Sequence, residues 1–175
     1  MRKVFIHTFG CQMNEADSAR MIEALAKTGW ARTEIADDAD LVILNTCSIR
    51  EKSEQKLLSA LGRYRPLKER RGTRIGVGGC VAQQEKTRLL KKVPYLDFVF
   101  GPDQVGRLPQ IVRQVEEEGV RLAETQWLDS STYVFPQADP AFAAGKATAF
   151  VTAMKGCNNV CSFCIVPYTR GGAVS

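Results

Sequence analysis

Over roughly the first hundred residues, short apolar runs alternate with stretches whose apolar positions recur every three or four residues. This is the pattern of a parallel sheet covered by helices, an α/β fold. Lys3–His7 reads as a first strand. Asn14 then precedes a helix with Ala16, Met21, Ile22 and Leu25 near one face and Gly29 as its stop. Asp40–Asn45 is apolar enough for a strand buried on both faces. Ser48 and Glu51 have the spacing of a capping box, which predicts a helix that buries Leu57, Leu58 and Leu61 and ends before Pro66. Arg74–Gly78 is a third strand, Gln83–Lys92 a helix and Asp97–Phe100 a fourth strand. A last amphipathic helix carries Leu108, Ile111, Val112 and Val115 and is closed by Gly119.

The periodicity then fades. Between 119 and 146, Pro136, Pro140 and Gly145 interrupt scattered aromatics, so a linker is expected there, between a domain over 1–118 and a second unit over 147–175. Ala147–Met154 reads as a buried strand running directly into a cysteine cluster.

The 175 residues suffice for one ordinary domain plus a remnant, and 45% hydrophobic with 25% charged residues is the balance of a globular protein. The N-terminus lacks the apolar core of a secretory signal, and no stretch reaches the roughly 18 apolar residues of a membrane helix, so a cytoplasmic protein is expected. In a reducing compartment the six cysteines favour metal binding or catalysis over disulfides. The net charge of +5 is concentrated at Arg63, Arg65, Lys68, Arg70, Arg71 and Arg74, either a solvated helix end or a phosphate-binding patch. His7, alone on a buried strand, reads as structural.

Cys157, Cys161 and Cys164 lie in a C-x3-C-x2-C run after the expected strand. Three close thiolates can wrap one corner of a cubane iron–sulfur cluster and leave one iron open, whereas a structural zinc site normally closes with four ligands. Cys11, Cys47 and Cys80 each follow an expected strand end, in KVFIHTFGC, DLVILNTC and RIGVGGC. Loops at the carboxyl ends of parallel strands gather along one edge of a sheet, so these thiols are expected to converge and suggest a second cluster. Gly76, Gly78 and Gly79 hint at a phosphate loop, but GVGGC fits neither dinucleotide nor P-loop spacing.

These segments, with GCQMNEADS from Gly10, NTCSIREKSEQK from Asn45, VPYLDFVFGP from Val93 and KGCNNVCSFCIVPYTRG from Lys155, resemble the radical-S-adenosylmethionine methylthiotransferase family. The resemblance spans nearly the whole chain. It implies that Cys157, Cys161 and Cys164 hold a radical 4Fe-4S cluster, with Phe163 beside the adenine of S-adenosylmethionine, and that Cys11, Cys47 and Cys80 hold an auxiliary 4Fe-4S cluster. Gln12-Met13-Asn14 favours the branch acting on transfer RNA that carries N(6)-dimethylallyladenosine, with a methylthio group added at carbon 2. One S-adenosylmethionine would methylate sulfur and another would yield the radical that removes hydrogen from an unactivated carbon. A one-electron donor protein and a sulfur donor are implied partners, no membrane is, and a monomer is expected. The sequence stops soon after Cys164, whereas a β/α barrel needs about 200 residues, and Gly172-Ala173 replace the family's usual Arg-Glu. The resemblance therefore implies an incomplete, by itself inactive fragment holding the first strand and cluster loop of a barrel. The alternatives are a non-catalytic iron–sulfur or RNA-binding module, or a sister methylthiotransferase with another substrate.

Overall fold

A computed structural model describes residues 1–48, 53–128 and 152–175. Among the described residues the strands are β1 (Arg2–Thr8), β2 (Trp30–Arg32), β3 (Leu41–Thr46), β4 (Arg74–Gly79), β5 (Phe98–Phe100) and β6 (Leu122–Glu124). They form one parallel sheet in the order β2-β1-β3-β4-β5-β6. The helices are α1 (Gln12–Ala26), α2 (Ser53–Arg71), α3 (Cys80–Glu85), α4 (Thr87–Lys92), α5 (Leu108–Glu118) and α6 (Val166–Arg170).

Alternation along the strands divides the core. Leu41 and Ile43 join Met21, Leu25, Ile111 and Val112 on the face covered by α1 and α5. Val42 and Leu44 join Leu57, Leu61, Leu89 and Leu90 on the face covered by α2, α3 and α4. Both faces are covered, so β3 is buried at every position, as its unbroken apolar run requires.

The glycines of β4 are packing residues. Gly76 is in register with Phe98 and Gly78 with Phe100. A Cβ on Gly76 would lie 2.3 Å from the Phe98 ring, and one on Gly78 would lie 2.5 Å from the Phe100 ring. The two rings need bare backbone beside them, which explains the glycines without a phosphate.

Several expectations are corrected. The helix expected to stop before Pro66 continues to Arg71. A proline inside a helix costs roughly 3 kcal/mol, but here buried Leu67 and the anchored last turn outweigh it. In that turn Lys68 Nζ donates to both carboxylate oxygens of Asp97, at 2.5 and 2.6 Å. The single helix expected over Gln83–Lys92 is two, α3 and α4, broken at Lys86, whose φ is 51°. Residues 122–124, expected within a linker, form β6 on the edge of the sheet, held by the Arg121 guanidinium on the Leu90, Val93 and Leu96 carbonyls. β2 was also unforeseen. The capping-box position Glu51, the rest of the linker and residues 147–151 of the expected strand lie outside the described residues. Residues 152–154 are not strand, and Lys155 forms only an isolated antiparallel bridge with Val174.

Asp97 organises the amino edge of the sheet: besides Lys68 it accepts from the Ile75 N–H at 2.8 Å and from Arg74 Nη1 at 3.2 Å. Its side chain is 7% exposed. Asp97→Ala should therefore destabilise the protein by about 3 kcal/mol, the lower end for breaking a buried ion pair because Lys68 and Arg74 retain some water. Urea denaturation measures the loss. His7 is half-buried: Nδ1 lies 2.8 Å from Tyr64 Oη and its ring stacks on Phe9 at 4.0 Å. Burial and the nearby Arg63 charge push its pKa below the usual value. Among the described residues no helix is long and apolar enough to cross a membrane.

Candidate metal centre

The strand order makes β1 and β3 the point at which the chain reverses direction across the sheet, since β1 leads outward to β2 and the chain then returns to β3. Ligands of open parallel sheets bind at such points, beyond the carboxyl ends of the strands. Cys11 follows β1 as the N-cap of α1, Cys47 follows Thr46 of β3 directly, and Cys80 follows Gly79 of β4 and opens α3. The three thiols are thus carried to one edge by three neighbouring strands.

Beneath them lies a buried amide network. Asn14 Nδ2 donates to Asn45 Oδ1 at 3.1 Å and to the Thr46 carbonyl at 3.0 Å, while Asn45 Nδ2 donates to the Asn14 carbonyl at 2.8 Å and to Ser18 Oγ at 2.9 Å. Both asparagines are fully buried, so each donor needs its partner, and the network fixes the Cys11 turn against the end of β3. The Cys11 thiol donates weakly to Asn14 Oδ1 at 3.4 Å. Gly10, with φ at 139°, brings backbone so close that a Cβ there would stand 2.5 Å from Cys47 Cβ. Gly79, with φ at 91°, makes a similarly close approach, and its Cβ would meet the Thr46 carbonyl at 2.4 Å. The network of Asn14 and Asn45 and these roles of the glycines were not foreseen from the sequence; the signal was polar residues at positions the strand and helix patterns bury.

Cys47 and Cys80 are buried, Cys11 is half-buried, and all three are free thiols. Burial pushes the Cys80 thiol up, partly opposed by the Arg170 guanidinium beside it. Among the described residues no group of three or more Cys, His, Asp or Glu side chains closes to metal-ligating distance. The donor set nonetheless fits an iron–sulfur cluster: three soft sulfur donors, none in a disulfide.

Cys157, Cys161 and Cys164 lie on a loop closed at its base by the Lys155–Val174 bridge and by the Cys157 N–H on the Gly171 carbonyl at 3.1 Å. Cys161 is exposed and the other two are half-buried. Phe163, on the turn before Cys164, is 93% exposed. The loop docks on the sheet domain through two buried ion pairs, Lys155 with Asp103 and Arg170 with Asp17.

The chain belongs to the uncharacterized protein family UPF0004. That family matches residues 3–101, which include the whole first thiol set. The chain is also 68% identical over 99% of its length to a tRNA-2-methylthio-N(6)-dimethylallyladenosine synthase of Anaeromyxobacter sp. (strain Fw109-5). Proteins of the same name from Myxococcus xanthus (strain DK1622) and Geobacter metallireducens (strain ATCC 53774 / DSM 7210 / GS-15) are 65% and 50% identical over 100% and 98% of the chain. The chain spans 37% to 38% of the length of these relatives.

The end of the basic stretch lies elsewhere. Arg74 begins β4 and Cys80 follows its end, so the two are separated by about 17 Å of strand. Arg65 pairs with Glu69, Lys68 and Arg74 with Asp97, Arg70 with Asp37 and Arg71 with Asp40. Replacing Arg70 and Arg71 together by alanine should leave RNA affinity and its salt dependence unchanged, measured by filter binding between low and moderate salt. If both arginines instead held phosphates, the double substitution would flatten the salt slope by about two.

Proposed function

We propose that this chain is the amino-terminal part of a radical-S-adenosylmethionine methylthiotransferase that adds a methylthio group to carbon 2 of N(6)-dimethylallyladenosine in transfer RNA. The observation that carries the reading is the delivery of Cys11, Cys47 and Cys80 to the carboxyl ends of adjacent parallel strands at the reversal point of the sheet. The names of the relatives support the substrate.

In this reading residues 1–118, extended by β6, hold the auxiliary 4Fe-4S cluster on Cys11, Cys47 and Cys80. A linker follows to 146, and residues 147–175 open the radical domain, with a second 4Fe-4S cluster on Cys157, Cys161 and Cys164. Phe163, exposed on its turn, is suited to lie along the adenine of S-adenosylmethionine. When bound, the clusters and S-adenosylmethionine supply one-electron and sulfur-transfer chemistry, which the reaction needs because no side-chain base removes a proton from an aromatic carbon at neutral pH. The chain's own contribution is placement. The Asn14–Asn45 network holds the Cys11 and Cys47 backbones together, burial of Cys47 and Cys80 limits access of water and oxidants, and the ion pairs of Lys155 and Arg170 hold the second loop against the first domain. A one-electron donor, a sulfur donor, a cytoplasmic setting and a monomeric state complete the proposal.

The test is to express the full-length protein in cells lacking this transfer RNA modification and to analyse digested transfer RNA by mass spectrometry. A methylthio derivative of dimethylallyladenosine is expected. Unchanged dimethylallyladenosine, with soluble cluster-loaded protein present, overturns the substrate assignment.

A further inference from the structure

Arg170 stands outside both cysteine motifs, yet it is one of the few buried cations among the described residues, with a side chain 10% exposed. Its Nη2 donates to Asp17 Oδ2 at 2.7 Å, and Asp17 is 3% exposed, on the helix that begins beside Cys11. Arg20 approaches the other oxygen of Asp17 at 3.7 Å, so the carboxylate is shared between two cations. Arg170 itself is the last residue of α6, the short helix that follows Cys164, and α6 packs against α3, the helix that begins with Cys80. One guanidinium thus ties the helix after Cys11 to a segment that packs on the Cys80 helix and also carries Cys157, Cys161 and Cys164.

We infer that Arg170 is a positioning residue for the first thiol set, tying the helix after Cys11 to the segment packed on the Cys80 helix and setting, with Asp17, the charge beside the set. The inference rests on the reading of Cys11, Cys47 and Cys80 as cluster ligands. A guanidinium is a planar, permanently charged fork whose geometry suits a buried carboxylate, which lysine with its compact ammonium matches less well. A fixed positive charge close to a cluster favours its more negative, reduced form, so it raises the reduction potential. Asp17 works in the opposite sense by masking part of that charge.

The experiment uses the full-length protein with Cys157, Cys161 and Cys164 replaced by alanine, so that only the first set can hold a cluster. After anaerobic reconstitution, iron content and the EPR-monitored midpoint potential are compared for the parent, Arg170→Gln, Arg170→Lys and Asp17→Asn, with circular dichroism checking the fold of each. The expected results are a negative shift for Arg170→Gln, a positive shift for Asp17→Asn, and a potential nearer the parent's for Arg170→Lys. A merely structural clamp would lower iron content without shifts of opposite sign. If Arg170→Gln does not fold, the positive shift of Asp17→Asn remains decisive, and its absence overturns the inference. Unchanged potentials in a cluster-loaded parent and its variants overturn the role of Arg170 alone; a folded parent that takes up no iron overturns the ligand reading and this inference with it.

Discussion

Alanine at Cys157 in the full-length protein should reduce methylthiolation of transfer RNA to background while the first thiol set keeps its iron. The reasoning is one of ligand count. A C-x3-C-x2-C loop has three thiolates for its cluster, and removing one leaves two on a short, partly exposed loop whose Cys161 is already open to solvent. The sheet domain contributes no nearby replacement, because Cys47 and Cys80 are buried in their own site. Mass spectrometry of digested transfer RNA reads the activity, and iron analysis should fall from about eight to about four per chain. Methylthiolation retained at the parent level would remove Cys157 from the reaction.

Alanine at Gly10 should have a comparably large effect by a different route. Gly10 adopts φ of 139°, and its Cβ would sit 2.5 Å from Cys47 Cβ and 2.8 Å from Asn14 Oδ1. Neither neighbour can retreat easily, since Cys47 is fixed directly after β3 and Asn14 is locked into the buried amide network. Backbone strain and the steric clash together should cost about 2–4 kcal/mol, read from urea denaturation. The clash pushes the Cys11 turn and Cys47 apart, so iron at the first site should be lost while the second site retains about four irons. Gly29→Ala is the control: Gly29 also has a positive φ, of 86°, but a Cβ there meets nothing within 4 Å. It should lower stability by only about 1 kcal/mol and leave the iron content unchanged.

The centre of the sheet was most legible because β3 is buried on both faces and therefore written as an unbroken apolar run, DLVILN. The thiols of Cys11, Cys47 and Cys80 could be assigned to one edge from chain order alone, because parallel strands put their carboxyl ends together. What escaped was whatever depends on partners far along the chain. β2 and β6 have three residues each, too few for a period, and β6 exists because β5 offers it an edge. α2 passes through Pro66 because Asp97, distant in sequence, anchors Lys68. The roles of Asn14, Asn45 and Arg170 follow from contacts over dozens of residues, which no local pattern encodes. The basic stretch read as either a patch or a solvated helix end. Pairing of Arg65, Lys68, Arg70, Arg71 and Arg74 with carboxylates of the chain favours the latter for those five.

The most direct test of the two-site account is the content of iron and acid-labile sulfide in the anaerobically reconstituted full-length protein, repeated after Cys11, Cys47 and Cys80 are replaced together by alanine. About eight irons falling to about four is the result predicted for two independent clusters, each on its own three thiolates. Iron unchanged by the triple substitution, or zinc in place of iron, would contradict it.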